Sequence, residues 1–164
     1  DKGKIFDVKL IYGLTIVISG VILFWILTIV YGKIVGFTEA FPINNYLLYL
    51  LFTIIPTASI YIFQHSLSMI FKNQAIPFFV GVIGEFTGLF SMFLPQFPFL
   101  RKSILWGYYG ALQFVGLFGW DKQTRFDNAY FGVMTIDWPA FALLVCLLIL
   151  IYIVGKYIFS KKEF

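Results

Sequence analysis

Charge is scarce in this chain: Asp, Glu, Lys and Arg make up only 12% of its 164 residues. With 60% of residues hydrophobic and 21% aromatic, a water-soluble domain of this length could not cover its apolar surface. Cysteine is nearly missing too. Cys146 stands alone inside an apolar run, which excludes a disulfide framework within the chain and reads as a small buried hydrophobe. Histidine is represented by His65 only, and one imidazole without a carboxylate or thiolate cluster does not make a metal site.

The motifs of enzyme chemistry are also absent. Gly3-Lys4, Gly32-Lys33 and Gly155-Lys156 are each followed by Ile or Tyr, so no GxxxxGK[ST] loop exists to cradle phosphate. There is no HExxH, GxGxxG or Ser-His-Asp set. The net charge of +4 is no nucleic-acid signal, because the basic residues gather at the ends of apolar runs.

What the chain has is length without charge. Residues 11–31 carry no charged side chain, and at 1.5 Å per residue they reach roughly 30 Å, the thickness of a bilayer's hydrocarbon core. The pattern predicts an all-α transmembrane bundle forming a single domain. Its spans cover about 11–32, 46–71, 75–95 and 138–159, with the third stopped by the proline break at Pro95 to Pro98. Tyr31, Tyr46, Trp138 and Tyr157 stand near span ends as interfacial anchors.

Four spans place seven basic residues against three acidic ones on the side holding both termini, and five against four on the other. That bias predicts cytoplasmic termini. Residues 103–120 are charge-free and nearly long enough to span, but a fifth span would reverse the asymmetry. Their glycines and aromatics predict instead a helical hairpin re-entering from the outside, within an extracellular cap at 96–137. The opening Asp1-Lys2-Gly3, in place of Met, is expected of a segment of a longer or processed polypeptide.

Two polar stripes break the apolar pattern. Thr57, Tyr61, Gln64, His65 and Ser68 share one face of the second span. Gly81, Gly84, Glu85, Gly88 and Ser91 form a matching stripe on the third, with the GxxxG spacing that lets helices approach. Glu85 is the only acidic residue deep in a span. Folding the two helices antiparallel predicts a hydrogen bond to it from Tyr61 or His65. A pathway or proton-coupling role and an interhelical clamp are both open for Glu85.

The order of these parts resembles the C-terminal two-thirds of an ABC-2 type transporter permease, and most of all the permease subunits of bacterial lantibiotic-immunity and bacitracin-type exporters. The residues that carry it are the GKIFDVKL stretch from Gly3 to Leu10 and the FLPQFP break followed by WGYYGAL. The terminal FSKKEF completes the set. The resemblance implies six spans in all, with the first two preceding a cytoplasmic coupling helix at whose end this chain starts. It places residues 1–10, with Lys4, Phe6, Asp7 and Lys9, beside an ATP-binding subunit that holds ATP and Mg, so that the chain itself carries no cofactor and is not an enzyme. It places Trp106, Tyr108, Tyr109 and Trp120 in the outer cap. Implied partners are that subunit, a second permease chain, the lipid bilayer and an amphipathic peptide expelled from a bacterial plasma membrane. Two other classes compete: a non-transporting membrane scaffold or assembly protein, and an ion-coupled secondary transporter centred on Glu85.

Overall fold

The computed structural model describes residues 2–36, 43–94, 98–118 and 130–162. Its long helices are α1 (Lys2–Val35), α2 (Ile43–Ile70), α3 (Ala75–Phe93) and α6 (Trp138–Lys161). All four are long and apolar enough to cross a membrane. The fold is all-α, as expected, and compatible with a multi-pass membrane protein. Large apolar side chains stand exposed on its outer faces, Ile34 at 77% and Phe93 at 73% among them, which suits lipid rather than water. Cys146 is one of these outward residues and not buried, because the inward face of α6 is taken by Ala140, Leu144, Gly155 and Phe159.

The helices run longer than the apolar windows. The segment 1–10 is continuous with the first span from Lys2 onward, because Lys and Asp interrupt hydropathy without breaking a helix. α3 ends at Phe93, so the expected stop at Pro95 lies outside the described residues. Between α3 and α6 stand α4 (Pro98–Ser103), a 3-10 turn (Leu105–Gly107) and α5 (Tyr108–Ala111). The chain then leaves the helical state after Leu112, and β1 (Val115–Phe118) pairs antiparallel with β2 (Tyr130–Val133), Val115 opposite Val133. Within 103–118 the chain is thus helical only in its first part. β-branched and aromatic residues around Gly116 and Gly132 favour the ribbon over a returning helix.

α2 and α6 share the largest interface, and α1 packs across both. Gly155 of α6 makes this approach close, since a Cβ there would lie 2.2 Å from Ser66 Oγ. At the ribbon end the core holds Phe52, Tyr108, Leu112, Phe114, Ala140 and Leu144; at the end near the α2–α3 turn it holds Phe6, Leu10, Ile62 and Phe159. α3 touches α2 only lightly and is held mainly by the short segment after it.

Candidate functional site

The polar face of α2 packs against three neighbouring elements, and the buried His65 Nε2 has no hydrogen-bond partner among the described residues. Thr57 Oγ1 shares a 2.7 Å hydrogen bond with Tyr109 OH while also donating to the Thr53 carbonyl. Tyr61 lies over Gly13 of α1, its hydroxyl only 1.5 Å from where a Cβ would stand. The Gln64 amide, in the orientation that satisfies both its ends, donates to the Pro77 carbonyl at 3.0 Å and accepts from Gly81 N–H at 3.1 Å. His65 meets the Phe6 ring edge-on at 4.7 Å and stacks on Tyr61. Ser68 donates to Gln74 in the turn. The stripe therefore joins α2 to α1, to α3 and to α5, as polar groups kept in lipid must do.

Glu85 does not join it. Tyr61 is turned to Gly13 and His65 to Phe6, so the expected hydrogen bond to the carboxylate is not formed. The cause lies one residue away. Gly84 and Gly88 face the indole of Trp106, whose ring atoms sit 2.5 Å from a Cβ at Gly84, so the GxxxG spacing receives a tryptophan rather than a helix. Glu85, about 100° further round α3, is left exposed. A charge at the centre of a spanning helix costs about 3 kcal/mol on insertion scales, so this position calls for a partner.

The segment carrying Trp106 is pinned at three points. Phe63 of α2 meets the Trp106 ring edge-on at 5.8 Å. Arg101 donates to the Ser91 carbonyl at 3.1 Å and the Met92 carbonyl at 2.8 Å, closing the carbonyl end of α3 with a cation. Lys102 pairs with Asp137 at 2.5 Å, and Asp137 in turn accepts from Ala140 N–H as the N-cap of α6. The Lys102 ammonium and then the Ala140 N–H hold the Asp137 carboxyl below its ordinary pKa. Tyr108 is fully buried under this segment and Tyr109 half-exposed; Trp120 lies outside the described residues.

The residues expected to meet a motor divide. Lys4 and Lys9 are exposed on α1. Phe6 is fully buried against His65, Tyr152 and Phe159, and Asp7 accepts from Lys156 at 2.5 Å and Tyr152 at 3.0 Å. Lys162 donates to the Ile70 carbonyl and Lys2 to the Lys162 carbonyl, so the same end of α1, α2 and α6 is tied together. Arg101, Lys102, Asp137, Tyr152 and Lys156 were not singled out by sequence. Only Asp137 carried a local signal, standing before Trp138-Pro139 as a cap before a first-turn proline.

Two clefts open beside this framework. One of about 290 Å³ lies between α1 and α2 and is lined by Phe24, Trp25, Tyr46 and Tyr49; another of about 520 Å³ is lined by Phe52, Met92, Tyr109 and Phe114. Tyr49, Thr53 and Val115 line both, which makes them neighbours over one face of α2. No protein-family model, curated protein or solved structure matches this chain.

Proposed function

We propose that the chain is the membrane-spanning permease subunit of an ATP-driven ABC exporter in a bacterial plasma membrane, both described ends facing the cytoplasm. Its load is a lantibiotic or similar amphipathic antimicrobial peptide, removed from the membrane for self-protection. ATP and Mg belong to a separate ATP-binding subunit, and a second permease chain completes the complex.

The observation that carries this reading is the construction of α1. It is one helix from an exposed, basic start at Lys4 and Lys9 into the apolar bundle, fixed to α2 and α6 by Phe6 and Asp7. A push on that start is transmitted as a rigid-body movement, because a packed core does not absorb it locally. The aromatic segment with Trp106 at the middle of α3 fits a cap that re-enters the membrane from outside. The order of sequence parts that resembles such permeases points the same way.

Purification in mild detergent from cells that express the neighbouring genes tests this. A stoichiometric ATP-binding subunit that is lost when the exposed Lys4 and Lys9 are replaced is the expected result. Its consistent absence would favour the scaffold reading. The uncommitted Glu85 favours the ion-coupled alternative, which requires transport that follows the proton gradient without ATP.

A further inference from the structure

A third cavity, of about 430 Å³, opens where α3 ends and α6 begins, and polar side chains line it: Arg101, Lys102, Gln113, Thr135 and Asp137. Arg101 is set there by the chain around it. A Cβ at Gly107 would lie 2.6 Å from the Arg101 carbonyl oxygen, and one at Gly110 would lie 3.6 Å from its Cδ, so two glycines make room for it. Its Nε and Nη2 donate to the Ser91 and Met92 carbonyls, and Nη1 has no partner among the described residues. Those acceptors are neutral, so no carboxylate among the described residues cancels the guanidinium charge. Lys102 differs, because Asp137 pairs with it at 2.5 Å. Two cations against one carboxylate leave the cavity with an excess of one positive charge.

The cavity stands at headgroup depth. The 19 residues of α3 reach about 28 Å at 1.5 Å each, close to the thickness of a hydrocarbon core, so its end at Phe93 falls at the boundary with the headgroups. Arg101 binds carbonyls of that last turn, and Asp137 caps the first turn of α6, whose Trp138 is exposed as an interfacial anchor is. Phe93 and Phe99, on the two helices that hold Arg101, are also exposed and offer apolar surface to acyl chains.

The geometry points to this cavity as a site for the phosphodiester of an anionic glycerophospholipid, held by Arg101 with Lys102 and Thr135 lining the same space. Phosphodiesters are the anions that crowd this depth, and a guanidinium offers them paired N–H donors. The excess positive charge selects a headgroup of net negative charge over a zwitterionic one, whose own cation would meet Lys102. The site is separate from the exporter reading, since a lipid bound here needs neither motor nor load.

The test uses the full chain in dodecyl maltoside, titrated with phosphatidylglycerol or with phosphatidylcholine of the same acyl chains. Native mass spectrometry reads the first lipid retained. Phosphatidylglycerol should be retained at concentrations about tenfold below those phosphatidylcholine requires, the factor that one charge-assisted hydrogen bond supplies. Arg101→Gln should remove that preference, while Lys161→Gln, which removes the same charge at the far end of α6, should keep it. Asp137→Asn retains a capping oxygen, frees Lys102 and makes the cavity more positive, so it should tighten phosphatidylglycerol binding, a gain that misfolding cannot produce. The contrast between lipids needs no substitution and stands even if Arg101→Gln misfolds. Equal retention of the two lipids, full preference in Arg101→Gln, loss of preference in Lys161→Gln or no gain in Asp137→Asn would overturn the inference. Displacement of phosphatidylglycerol by millimolar inorganic phosphate would assign the site to a soluble anion and overturn it as well.

Discussion

The indole of Trp106 fills the space above Gly84, its ring atoms 2.5 Å from the point where a Cβ would stand. At Gly88 the obstacle is the Trp106 Cβ and backbone, at 2.6 to 3.1 Å. A flexible side chain can yield where a backbone cannot. Gly88→Ala is therefore expected to cost more stability than Gly84→Ala, with both in the overpacking range of about 1–3 kcal/mol. Trp106→Ala should lower stability by leaving a cavity. The pair Gly84→Ala with Trp106→Ala should be less harmful than the sum of its parts, since the two share one contact. Thermal unfolding of the four variants in detergent measures this, and strict additivity would count against the contact.

Asp137 couples the short segment after α3 to the first turn of α6. Its folded pKa is depressed by Lys102 and by the Ala140 N–H, so it stabilises the fold fully above the unfolded value of about 3.9. That contribution is lost as pH falls through the lower folded value. Asp137→Asn keeps a capping oxygen and removes the ion pair, so the melting temperature of the variant should fall less steeply below pH 4 than that of the unsubstituted chain. Asp137→Ala removes the cap as well and is expected to cost about 1 kcal/mol more at neutral pH. Superimposable acid limbs for all three would contradict the assignment.

Asp7, Tyr152 and Lys156 tie the start of α1 to the end of α6. Asp7→Lys alone places two ammonium groups together and should destabilise the bundle. Lys156→Asp alone should do the same with two carboxylates. The double exchange restores opposite charges and should recover most of the lost melting temperature. Recovery no better than either single change would mean that the pair is incidental.

The spans were legible because lipid demands long charge-free runs, and nothing else in a chain of this length supplies them. The polar face of α2 was legible as well, since spacings of three and four set Thr57, Tyr61, Gln64 and Ser68 on one side whatever packs there. What the sequence did not disclose was the partner of each group. Gly84 and Gly88 promise close approach but do not say by what, and the visitor is Trp106 from a segment after the proline break. That arrival decides the fate of Glu85, which is why its expected bond to Tyr61 or His65 is not formed. The ribbon of β1 and β2 was missed because glycine-rich aromatic stretches suit short strands as readily as helical hairpins. Placing Phe6 and Asp7 inside the bundle required tertiary contacts from Tyr152 and Phe159, nearly the whole chain away.

The exporter reading is tested most directly by transport itself. Inside-out vesicles containing this chain and the proposed ATP-binding subunit would be given a fluorescent cationic amphipathic peptide. The account expects accumulation that requires ATP, stops with vanadate and continues in the presence of a protonophore. Accumulation that needs no ATP and collapses with the protonophore would contradict it.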